Sequence, residues 1–148
     1  MLNTRMPKVT VRRDFAATAD ELFDAWLDPR AMAIWMRPGG VPRTSVAADA
    51  RVGGALEIVM HAAGGDLRHT GVYREIDRPR RLVFTWISPA THQGETLVTV
   101  DFHLKPDGTG IVVTHEMLPD EQALASHAGG WTDALALLAR KLAEPPEG

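Results

Sequence analysis

The residue best placed by type and context to orient a ligand or move a proton is His115. It lies in the run GIVVTHEML, residues 110–118, where strand alternation puts it on one face with Ile111, Val113 and Met117. Apolar surroundings disfavour the imidazolium form, which leaves a neutral ring able to donate or accept one hydrogen bond. Such a ring can orient a ligand carbonyl or hydroxyl, or act as a general base. The commoner outcome is a core histidine bonded to a backbone carbonyl, because many perturbed groups are structural. Tyr73 is a second acid or base candidate. It stands with Glu57, Arg74, Glu75 and Asp101 on strand-like segments, where arginine–carboxylate pairs between neighbouring strands are the ordinary arrangement.

Other chemistries find no support. The six histidines fall at 61, 69, 92, 103, 115 and 127, with no helical i,i+4 pair and no HExxH. There is no cysteine, which excludes disulfides and thiolate metal sites. Dinucleotide, nucleoside triphosphate and serine-hydrolase motifs are missing, and no cofactor or metal is implied. The net charge of −3 is spread along the chain with no basic stripe, which argues against nucleic acid as a partner. No apolar run approaches the roughly 20 residues that cross a bilayer. The N-terminal segment lacks the apolar stretch of a signal peptide, so a cytoplasmic setting is expected.

The elements that must position these side chains read clearly. A length of 148 residues with 45% hydrophobic residues suits one substantial core, so one domain is expected over 8–143 with flexible termini at 1–7 and 144–148. KVTVRRDF alternates as a half-buried strand. Thr18 and Glu21 form a capping box that opens a helix, and Asp28-Pro29 opens a second, short one carrying Met32 and Trp35 before Pro38-Gly39-Gly40. Six strands follow, separated by Gly53-Gly54, Gly64-Gly65-Asp66, Arg78-Pro79-Arg80 and the hairpin signal Pro106–Gly110. Connections this short join antiparallel neighbours, so a meander is predicted. In TLVTVDFHL, Val98, Val100, Phe102 and Leu104 share one face. A long final helix carries Leu124, Ala128, Trp131, Leu135, Leu138 and Leu142 on one stripe. Within it Gly129-Gly130 suggests a close approach, a bend or a hinge.

This order predicts an α+β fold, β-α-α-β-β-β-β-β-β-α, in which the sheet buries its apolar face against the last helix. A twisted sheet curling around one helix leaves room for a small hydrophobic ligand. Met60, Phe84, Trp86, Phe102, His115 and Trp131 are then either the ligand wall or ordinary core, worth about 1.5–3 kcal/mol per large side chain. An edge strand could pair two copies, so monomer and homodimer are both open.

The segments FAATADELFDAWLDP, RVGG, GVYREIDRPRRLVFTW, TLVTVDF, THEMLP and HAGGW, in this order, resemble the Hsp90-ATPase-activator-like family of the START-like, helix-grip superfamily. The resemblance implies a cavity between the sheet and the last helix, roofed by the two short helices. Trp35 and Tyr73 join the six inward residues as expected ligand contacts, with Met32, Met36 and Arg37 at the rim. It departs from the pattern at Ile34-Trp35-Met36-Arg37-Pro38, where family members often carry Arg-Trp-Trp-Gly-Pro. A Met and an arginine there make the mouth softer and more positive, which would suit a carboxylate or phosphate. Three uses are open: carrier or sensor of a hydrophobic molecule, a cavity enzyme using His115 or Tyr73, and a chaperone-associated, stress-related module acting through an outer surface.

Overall fold

The structure is a computed structural model and describes residues 8–143. The expected flexible ends, 1–7 and 144–148, lie outside the described residues. The elements run β1 (Val9–Phe15), α1 (Ala19–Leu27), α2 (Pro29–Trp35), β2 (Arg43–Ala48), β3 (Ala55–Ala62), β4 (Gly65–Asp77), β5 (Arg81–Trp86), β6 (Thr96–Lys105), β7 (Gly108–Glu116) and α3 (Glu121–Ala143). The order of strands and helices is the one the sequence predicts.

Local chemistry explains the helix starts. Thr18 Oγ1 accepts from the Glu21 backbone N–H at 3.1 Å, while the Thr18 N–H donates to Glu21 Oε1 at 3.4 Å. Asp28 Oδ1 accepts from the Arg30 N–H at 3.0 Å, with Pro29 at the first helical position. Asp120 caps α3 by accepting the Ala123 N–H at 2.8 Å, and that bond holds its carboxyl below the usual carboxylate range.

The sheet has seven antiparallel strands in the order β1-β7-β6-β5-β4-β3-β2. Five hairpin steps join β2 to β7, and β1 closes onto β7. The long strand β4 turns the sheet: its register with β5 slips between Tyr73 and Glu75. At Gly71 the β5 backbone comes so close that any Cβ would strike the Thr85 carbonyl. The result is a curved half-barrel gripping α3, the helix-grip arrangement. On its outer face arginine–carboxylate pairs join neighbouring strands, Arg81 Nε with Asp101 at 2.8 Å and Arg68 Nε with Glu57 at 2.8 Å. These exposed pairs contribute little to stability.

Three sequence expectations are corrected by the packing. Leu104 continues the inward face of β6 by alternation, yet it is 81% exposed, because the end of the β6–β7 hairpin projects past everything that covers the sheet. Met117 is 44% exposed: β7 ends at Glu116, Met117 takes a left-handed φ of 68°, and Leu118 is buried in its place. The stripe of α3 also starts elsewhere. Ala123, His127 and Trp131 are buried through the first turns, while Leu124 and Ala128 are only half-buried; Leu135 and Leu138 then follow as expected. A hydrophobicity pattern prefers Leu124 to Ala123 and Ala128 to His127, so it draws the stripe one residue out of phase there.

Candidate functional site

The interior has a filled part and a hollow part. In the filled part α1 and α2 sink aromatic side chains between the sheet and α3. Trp26 lies edge-on to Trp35 at 4.8 Å between ring centres and stacks on Trp131 at 5.9 Å. Phe23 meets Phe102 at 5.1 Å. Trp35 Nε1 donates to the Ala25 carbonyl at 3.0 Å, which ties α2 back onto α1.

The hollow part lies under the first half of α3. It is a cavity of about 450 Å³, within the ordinary range for small-molecule sites. Met60, Leu67 and His69 of β3 and β4 form one side, and Trp86 of β5 forms the back. Met36, Pro38 and Val41, from the connection between α2 and β2, form the lip. α3 contributes Ala125, Ser126, His127, Gly129, Gly130 and Trp131, mostly small residues.

Of the residues expected to touch a ligand, the structure brings Met60, Trp86 and Trp131 to the cavity wall, with Met36 at the lip. It sets the others back. Trp35, Phe84, Phe102 and Met32 are buried in the filled part, because the helices α1 and α2 pack onto the sheet there instead of roofing an open space. Arg37 faces a second, smaller recess of about 270 Å³ beside the lip, with Arg140, and its Nε donates to the Val41 carbonyl at 2.9 Å.

His115 is fully buried behind Trp86 and Trp131. Its hydrogen bonds fix its tautomer. Trp131 Nε1 is a donor only, so His115 Nδ1 accepts from it at 3.0 Å. Thr96 Oγ1 gives its own proton to the Trp86 carbonyl at 2.6 Å, so it accepts from His115 Nε2–H at 2.7 Å. Both ring nitrogens are thereby used within the protein. Burial, and then the nearby His127 ring, push the pKa down to about 3. This histidine locks the last helix to the sheet. Tyr73 is buried against Phe84 away from the cavity, and burial followed by the Asp49 charge raises its hydroxyl to about 12.

His69 and His127 carry no periodicity signal that marks them as cavity residues. His69 lies against Trp86 at 4.9 Å between ring centres, and His127 meets His115 at 4.5 Å. Burial lowers the pKa of each. The one available clue was the small-residue run ASHAGG, residues 125–130, around His127, since small side chains where the helix meets the sheet leave space. Neither glycine is forced by close contact: a Cβ on Gly130 would sit 3.8 Å from Pro38 Cβ, an ordinary separation, and one on Gly129 would meet nothing. α3 runs unbroken through both.

Among the described residues no group of three or more metal-ligating side chains gathers, and no helix is long and apolar enough to cross a membrane.

Similar folds are known. Protein CV1439 from Chromobacterium violaceum is 27% identical with a TM-score of 0.81, over 93% of this chain and 97% of that one. The AHSA1 protein from Silicibacter pomeroyi is 25% identical with a TM-score of 0.76, over 93% and 98%. CalU16 from Micromonospora echinospora, 24% identical with a TM-score of 0.71 over 92% and 76%, shares the fold. No curated protein matches the chain. The family model described as Activator of Hsp90 ATPase homolog 1-like protein matches residues 16–143, and with this fold behind it the chain belongs to that family.

Proposed function

We propose that this protein binds a small, largely apolar molecule in the cavity under the first half of α3, as a carrier or sensor. The observation that carries this reading is a hollow of about 450 Å³, walled by Trp86, Trp131 and Met60 with Met36 at its lip, beside a buried aromatic cluster. A largely apolar recess of this size can bury most of the surface of a small molecule against its walls. Neither residue that the sequence offers for acid–base chemistry reaches the cavity: His115 has both nitrogens engaged, and Tyr73 lies elsewhere. Contact with a chaperone rests on the family description alone, whereas the cavity belongs to this chain.

Native mass spectrometry of freshly purified protein tests the reading, paired with titration of small aromatic and lipid-like compounds followed by tryptophan fluorescence. Bound mass, or saturable quenching of Trp86 and Trp131 with a raised melting temperature, is the expected outcome. Protein free of adducts that responds to none of these compounds would sink it.

A further inference from the structure

His69 and His127 have a feature in common that bears on what the cavity takes; the inference rests on the ligand-binding reading above. Each ring sends Nδ1 to a backbone carbonyl: His69 to Ile58 at 3.2 Å, and His127 to Ala123 at 2.7 Å. A carbonyl oxygen can only accept, so Nδ1 carries the proton in both rings. A neutral imidazole has a single N–H, and Nε2 is therefore a bare acceptor in both. Burial favours the neutral form of both rings. Each residue is only 8% exposed, each lines the cavity, and neither Nε2 has a hydrogen-bond partner among the described residues.

Most of the polar lining points the same way. Asp133 lines the cavity as a further acceptor, already taking the Gly39 N–H at 3.0 Å. No lysine or arginine is in the wall among the described residues, since Arg37 and Arg140 face the neighbouring recess. The Ser126 hydroxyl can serve as donor or acceptor. Against these acceptors stands one buried N–H of the wall without a partner among the described residues, that of Trp86 Nε1. A hydroxyl can both give its proton to an imidazole Nε2 and accept from that N–H, whereas a carboxylate has no proton to give and meets Asp133. Trp86 and Trp131 supply flat aromatic walls, and Met36 and Met60 adapt to a ring edge.

We infer that the cavity selects a neutral aromatic molecule bearing a hydroxyl or N–H donor, a phenol in type, whose donor bonds Nε2 of His127 or His69 while its ring lies against the tryptophans. This reverses the expectation, drawn from Arg37, that the ligand would be an anion. An apolar molecule of the same shape would leave the buried acceptors unpaired, and a carboxylate would be repelled.

Naphthalene, 2-naphthol and 2-naphthoate, matched in ring shape, separate these cases in calorimetric titrations near neutral pH. The wild-type protein is expected to bind 2-naphthol about tenfold more tightly than naphthalene, with 2-naphthoate weakest. His127→Phe or His69→Phe should erase that preference and leave naphthalene binding intact. Because either variant could fold poorly, the wild type is also followed by ¹⁵N NMR, where 2-naphthol and not naphthalene should shift one of these Nε2 signals. Equal affinity for 2-naphthol and naphthalene, 2-naphthoate as the tightest binder, or a preference unchanged in both folded variants would overturn the inference and leave the cavity reading standing. Failure of all three compounds to bind would remove the cavity as an aromatic-ligand site, and this inference with it.

Discussion

The two halves of α3 pack against the same sheet and end in opposite states. The second half offers Ala134, Leu135 and Leu138, all fully buried, and closes the interior. The first half offers Ala125, Ser126, Gly129 and Gly130 toward the space that Met60, His69 and Trp86 border, and the space stays open. One helix diameter thus gives two outcomes, so the width of the helix does not create the cavity. Side-chain size does, turn by turn. The aromatic cluster of α1 and α2 adds to the contrast, because Trp26 and Trp35 fill what would otherwise be the rest of the hollow.

The contrast is broken most severely from the filled side. Trp35→Ala is expected to cost about 3–5 kcal/mol in chemical denaturation, since it empties a packed position and removes a bond to the Ala25 carbonyl. An effect no larger than that of a typical surface substitution would mean that the two halves do not differ in packing.

Acid should act on the junction between the halves. The unfolded His115 ring takes a proton below its ordinary value of 6.5, but the folded ring only near 3. Its contribution is fully present above pH 6.5 and is lost as pH falls from there toward 3, at about 1.4 kcal/mol per pH unit. His69 and His127, both lowered, act in the same direction. Denaturation midpoints across this range should fall with pH, and His115→Gln should make the decline shallower. A decline equally steep in the variant would place the acid sensitivity elsewhere.

On the hollow side the effects are smaller and of opposite sign. Gly129→Ala and Gly130→Ala relieve the entropic cost of glycine in a helix and meet no close neighbour, so each should stabilise by about 1 kcal/mol. Thermal melts check this; destabilisation would show that the glycines are needed for a bend or a tighter contact. If they act as a hinge for entry, ligand exchange in the double variant should also slow. The smallest effect belongs to Arg37→Ala. It should alter affinity for a neutral aromatic ligand by no more than about 0.5 kcal/mol, because the guanidinium faces the recess beside the cavity. A larger loss in calorimetry would bring Arg37 back into the binding site.

Much of this architecture was already present in one dimension. The capping box at Thr18, the Asp28-Pro29 start, the glycine and proline breaks and the alternation along β6 are local signals, set by residues a few positions apart, and they fix the order of elements. The burial of His115 was likewise legible from its strand neighbours. Its lack of free nitrogens was not, because Thr96 and Trp131 reach it from two other elements. The cavity was beyond periodicity for the same reason. Its wall joins residues near 36–41, 60–69, 86–90 and 125–133, and a void is the difference between the space these segments enclose and the volume their side chains occupy. Sequence marks most of the inward faces, though not the first turns of α3; only the folded chain decides where inward-facing atoms run out, and which histidine nitrogens are left without a partner when they do.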